Sequence, residues 1–410
     1  MSITINQSPA TRSPAYNDLV YVITSTNKAQ ANFKYIADID IYGVGVVARL
    51  KNIPDPIYGS GVFNVSRILE NYVTSDISTS SYGFQQNLNT YQRVFIQFGE
   101  EYGPSSGTTI YPNVQSSSSL FAWNSIFDFL PFTTYDQSNY ILVSGSTKPF
   151  LTNAPLSQGI RDTENSWLHY MTTSSGTVFY AEVKTYDSLG ANIQTVRVAN
   201  PYQAWTSDND GFARFGCGTK NLNLINSSGI ITGAQPIIDS ETVRYTVQTI
   251  KYNGSATSEL RTFNINNACT QNTTYRFHFL NKLGGYDSFT FIRGSKKKVS
   301  ITRSNYKKVN GSLQSASSFS YSASDRGTTQ FDTLLKDDYR VLSDWIDEPT
   351  MIWLEELVTS PQVYLDDPTY GLVAVNIKNS SYDIKQTVQD KLFNLELEFE
   401  FSFDRYRQRG

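Results

Sequence analysis

The chain has 410 residues, more than one ordinary domain holds, and is 39% hydrophobic, 14% aromatic and only 17% charged. A formal charge of −3 supplies no global basic field, so no nucleic-acid partner is expected, and no apolar run reaches the length of a membrane span. Two cysteines, Cys217 and Cys269, cannot build a disulfide framework; they either pair or remain two buried thiols.

With 27 Tyr and 24 Phe the apolar surplus is aromatic, which suits strands. The fold class expected is mainly β, with two or three β-sandwich-like domains and a small α+β C-terminal part. Residues 1–101 read as a β-rich module with one short helix. Residues 19–24, 33–41, 44–50 and 91–99 are its strands, and 66–73 carries Ile68, Leu69 and Tyr72 at helical spacing. Residues 102–172 lose all periodicity and read as a loop-rich insertion, with a helical turn or two at 123–129. Such a stretch is either a self-packed excursion from a sheet or a segment ordered by neighbouring subunits.

Residues 173–328 read as a β-sandwich-like domain. A hairpin joins 177–186 to 193–198, and 221–225, 242–252 and 259–264 continue as strands, with Asn253-Gly254 as a turn signal. The same domain takes in an aromatic hairpin. Tyr275, Phe277 and Phe279 alternate along one strand, Gly284-Gly285 supplies the reversal, and 286–291 returns. The basic run Lys296, Lys297 and Lys298 reads as a solvated turn or a subunit contact.

Residues 329–410 read as the α+β part. Phe331, Leu334, Leu335, Leu342, Trp345 and Ile346 suggest one helix. Thr350 suggests the cap of a second, with Ile352, Trp353 and Leu357 inward and Glu355 and Glu356 outward. The chain closes on an amphipathic strand. Phe393, Leu395, Leu397, Phe399, Phe401 and Phe403 take one face, and Glu396, Glu398 and Glu400 take the other. Three aligned carboxylates require cations beside them, from this chain or from another subunit.

Catalytic chemistry finds little footing in these residues. His169 and His278 are the only histidines, and a structural role suits His278 in its aromatic hairpin. Neither sits at metal-ligand spacing with a cysteine, so no metal, cofactor or catalytic residue is assigned. Asp208-Asn209-Asp210-Gly211 resembles the middle of a calcium loop, yet the twelfth position is Cys217 instead of a bidentate acid. The residues assigned to subunit contact are Trp123, Trp167 and Trp205, the glutamates Glu396, Glu398 and Glu400, and the basic tail Arg405, Arg407 and Arg409. The three tryptophans, in loop-rich surroundings, are also candidates for a stacking platform for sugars, a reading placed second to subunit contact.

Two stretches carry a resemblance. Leu280-Asn281, Gly284-Gly285-Tyr286-Asp287, Phe289 and Phe291, with the closing strand at 392–400, resemble motifs of structural tail proteins of bacteriophages that infect Bacteroidetes-group bacteria. Asn32-Phe33-Lys34-Tyr35 and Gly61-Val62-Phe63-Asn64-Val65 have the same flavour, while about residues 100–260 are unmatched. The resemblance implies a non-enzymatic virion protein of the distal tail or baseplate region, made in the host cytoplasm. It also implies a ring-like homo-oligomer in contact with other tail proteins. The alternative is a host-recognition protein of the tail that binds a surface glycan.

Overall fold

A computed structural model describes residues 2–78, 82–172, 176–202, 211–267, 272–379 and 394–408. The chain is mainly β and divides into two compact units: Met1–Asn267 with Leu280–Ser288, and Ala268–Phe279 with Phe289–Gly410.

In the first unit the strand Lys34–Ile41 is almost wholly buried, between Gly45–Asn52 and Tyr91–Tyr102. Leu120–Trp123 and Arg12–Pro14 extend this sheet, and Thr109–Ser116 also pairs with Tyr91–Tyr102. A three-stranded sheet of Ile3–Gln7, Val20–Ser25 and Gly61–Asn64 shares its core. Tyr21 and Phe63 lie with their rings 5.5 and 6.1 Å from Phe98, so side chains of both sheets interdigitate as in a sandwich. The expected strands and the helix Ser66–Leu69 are all present.

The second core of this unit lies among a four-stranded and a six-stranded sheet. The first runs Ile141–Leu142, Trp167–Thr172, Gly211–Gly216, Gly83–Gln86; the second runs Ser157–Ile160, Arg261–Ile265, Arg244–Ile250, Tyr180–Tyr186, Asn192–Ala199, Ile230–Thr232. The stretch 102–172 is therefore no loop excursion, because it contributes strands to three sheets. Tyr91–Tyr102 runs through the 101/102 boundary without a break. Residues 221–225, expected as a strand, instead start inside the short helix Thr219–Asn223.

Among the described residues, the second unit holds an eight-stranded sheet, the separate hairpin of Ser312–Ser315 and Ser318–Ser320, and one helix. The order of the sheet is Tyr286–Phe291, Tyr275–Leu280, Val363–Asp367, Gly371–Ile377, Glu396–Phe401, Thr328–Leu342, Arg293–Lys307, with Arg405–Tyr406 also paired to Thr328–Leu342. The aromatic hairpin thus joins the C-terminal sheet, not a sandwich with 177–264. Phe277 packs 5.0 Å from Phe399 and 5.6 Å from Phe291. Helix Glu348–Thr359 sets Trp353 against Phe279 at 5.6 Å. Its cap is Asp347, whose side chain accepts from the Thr350 N–H at 3.2 Å, and Pro349 occupies the first turn, where no N–H is needed. Glu356 lies inward and Ile352 outward, the reverse of the expectation for both.

Residues 331–342 are strand, not helix. Thr329, Thr333, Leu335, Asp337 and Val341 are buried at period two, and the polar members of that face hide the alternation. The Lys296–Lys298 run likewise lies inside the fifteen-residue strand Arg293–Lys307, not in a turn.

Candidate assembly surfaces

The tip of the aromatic hairpin, Leu280–Ser288, belongs to the first unit, and the polar side chains of its motif find partners there. Asn281 builds the reversal: its Oδ1 accepts from the N–H groups of Leu283 and Gly285, both at 3.0 Å, and its Nδ2 donates to the Leu151 carbonyl at 3.0 Å. Gly284 has φ +79°, and a Cβ there would lie 2.2 Å from the Asn124 carbonyl oxygen. Asp287 accepts from the Thr152 hydroxyl at 2.8 Å. Ser75 donates to the Gly284 carbonyl at 2.7 Å, and the Ile126 N–H to that of Lys282 at 2.9 Å.

His169 closes the same site. The Tyr286 N–H can only donate, so His169 Nε2, 3.0 Å away, accepts and the ring proton sits on Nδ1. That nitrogen faces the Asn87 carboxamide at 3.0 Å, whose oxygen must turn toward it. Burial, with the charge of Arg214 adding to it, pushes the imidazole down to about 3. A neutral ring with both nitrogens engaged is a strut, with no lone pair left to act as a base. His278, fully buried, lies 3.4 Å from Asp366.

The tryptophans are corrected by their burial. Trp123 is 0% exposed, packed against Phe212 at 5.5 Å and against Phe127 and Tyr140 at 6.2 Å. Trp167 is buried in a six-residue strand with no exposed member. Neither ring is available to a neighbour or to a sugar, because this chain's own aromatic residues and strands cover both. Trp205 and Arg409 lie outside the described residues, as do Cys269 and Asp208–Asp210; Cys217 is buried.

The glutamates do stand in a row, and their cations come from the same chain. Arg340 pairs with Glu396 and lies 3.7 Å from Glu398; Lys378 and Lys336 lie 3.5 and 4.0 Å from Glu400. Arg405 is committed too, reaching the buried Asp337 at 2.5 Å, opposite Lys297 at 3.0 Å. A hydrogen bond to Asp338 chiefly holds the Lys378 ammonium above its ordinary range, and the same bond, aided by Ser300, holds Asp338 below its own. Asp338, Tyr339, Arg340, Lys378 and Glu398 border an open depression with Lys296 and Lys298. Arg407 is exposed, its backbone N–H joined to the Thr333 carbonyl at 3.2 Å. Among the described residues, no three His, Cys, Asp or Glu side chains converge on a metal-sized site, and no helix is long and apolar enough to cross a membrane.

One surface went unread in the sequence. Strands Arg293–Lys307 and Thr328–Leu342 continue as a ribbon past the last residue that a third strand or the C-terminal tail reaches, Thr333. Beyond it, the small hairpin Ser312–Ser315 with Ser318–Ser320 is exposed throughout. Tyr306, Val309, Leu313, Phe319 and Tyr321 are all exposed on this arm. The signal was present as charge. Of the 34 Lys and Arg, ten fall in residues 293–342, against four of the 37 Asp and Glu, so this hairpin carries +6 and the rest of the chain −9.

No protein-family model matches this chain, and no curated protein does.

Proposed function

We propose that the chain is a non-enzymatic structural subunit of a phage tail, in the distal tail or baseplate region, which assembles through protein–protein contacts. The observation that carries this reading is the hairpin tip at 280–288. It bears the motif of the resemblance, and its polar groups are spent inside the fold: Asn281 holds the backbone of the turn, Asp287 binds the Thr152 hydroxyl, and the Tyr286 N–H is fixed by His169. A motif of that kind specifies architecture, as the resemblance implies. The host-recognition alternative loses two of the three rings it was built on, since Trp123 and Trp167 are buried.

Mass spectrometry of purified particles of the phage that encodes the chain tests the proposal. Peptides at several copies per particle, comparable with other tail proteins, are expected. Their absence from particles that infect normally would overturn the virion assignment. Specific binding of the free protein to isolated host capsule would shift the reading to host recognition.

A further inference from the structure

The arm at 303–333 has two properties that do not suit a surface left in water. A two-stranded ribbon cannot enclose a core, yet this one carries large apolar side chains: Val309 is 75% exposed, Leu313 69% and Tyr321 77%. Around them lie the exposed cations Lys307, Lys308 and Arg326. An arm with this chemistry fits a surface that is both apolar and acidic.

The first unit presents such a surface. The short helix Phe129–Thr133 leaves Phe129 78% and Leu130 76% exposed, with Ile126 beside them in sequence. Asp128 and Asp136 flank it; the Asp128 side chain is 72% exposed even though it pairs with Lys282 at 3.0 Å. The Ser138 N–H and hydroxyl hydrogen-bond the Asp136 carboxylate and, with the charge of Lys148, hold it below the ordinary carboxylate range. Exposed apolar residues lie on both surfaces, the arm carries Arg303, Lys307, Lys308 and Arg326 against Asp325 and Asp332, and the chain outside the basic hairpin is net acidic, which describes complementary halves of one contact.

We propose that the arm of one copy docks on the 126–136 surface of a second copy, so that copies join head to tail. This rests on the reading of the chain as a self-assembling subunit and names the surfaces that reading lacked. Such a contact is heterologous: each copy offers both halves, and repetition closes a ring or runs on as a filament. The exposed Lys296 and Lys298 lie on the edge strand Arg293–Lys307 nearer the sheet, where charged side chains discourage indiscriminate strand addition. Contact is thereby left to the arm's side chains.

Sedimentation velocity on the full chain tests this with two variants. In one, residues 308–327 are replaced by Asn-Gly, a two-residue connection that suits the register pair Lys307 and Thr328. In the other, F129D/L130D alters only exposed positions. The wild type is expected to associate, more weakly as salt rises from about 0.05 to 1 M. Each variant is expected to weaken association at least about tenfold, with its circular dichroism and melting temperature kept. Equal association of wild type and both variants would overturn the arm contact while leaving the self-assembling reading standing. A wild type that stays monomeric at every salt and concentration would overturn the second copy as the occupant, and the tail assignment would then stand or fall on particle composition alone. Binding of a DNA or RNA duplex that disappears when the arm is trimmed would instead assign the arm to nucleic acid.

Discussion

Gly284 and Gly285 exclude side chains for two different reasons. Gly284 combines a positive φ with a backbone carbonyl in the place of a Cβ, and backbone cannot move aside. At Gly285 a Cβ would lie 2.8 Å from the His169 ring, which is pinned at both nitrogens. Gly284→Ala is expected to cost about 2–4 kcal/mol in chemical denaturation, the sum of left-handed strain and overpacking; a loss under about 0.5 kcal/mol would contradict the tip geometry. His169 adds a pH dependence whose sign follows from its neutral state. Below its ordinary value of 6.5 the unfolded ring takes up a proton that the folded ring refuses until about pH 3. Stability therefore falls as pH drops through that window, by about 1.4 kcal/mol per unit from this group. His169→Gln should flatten that part of the profile in thermal melts between about pH 4 and 6.5, and an unchanged slope would show that the ring is not held neutral.

At the scale of elements, the closing strand settles where the glutamates find their cations. Lys336, Arg340 and Lys378 are supplied by this chain, and the pairs are partly open to solvent, so each contributes about 0–1 kcal/mol. Replacing Glu396, Glu398 and Glu400 together by Gln should cost about 1–2 kcal/mol, less in about 1 M salt. A loss above about 4 kcal/mol, or a gain, would contradict the ladder. Elements with apolar residues on alternate positions were legible in the sequence: Arg244–Ile250, Tyr275–Leu280 and Glu396–Phe401 lie where their periodicity places them, and Lys34–Ile41 where its run of β-branched and aromatic residues does. Trp167–Thr172 was not, because a strand buried on both faces shows no alternation. Thr328–Leu342 was misread because Thr329, Thr333 and Asp337 occupy its buried face, leaving its leucines to mimic a helical stripe. The surfaces were less legible than the fold. Trp123 and Trp167 lie among loop-like residues in sequence, yet burial is decided by strands from elsewhere in the chain: Arg12–Pro14 beside Leu120–Trp123, and Gly211–Gly216 beside Trp167–Thr172. Arg293–Lys307 carried its message in charge balance over fifty residues, a longer range than any local motif covers.

For the whole molecule, a net charge of −3 conceals a basic hairpin and an acidic remainder. Uniform weak charge would make copies indifferent to one another, whereas segregated charge with exposed apolar residues on both sides favours ordered contact between them. The tail-subunit role and the arm contact, both proposed above, make one reading: a subunit that joins to copies of itself. The most direct measurement is immunogold labelling of intact phage particles with antibody raised against the chain. Gold clustered where the tail body ends is the predicted result. Gold on the head or spread along the fibres would contradict it.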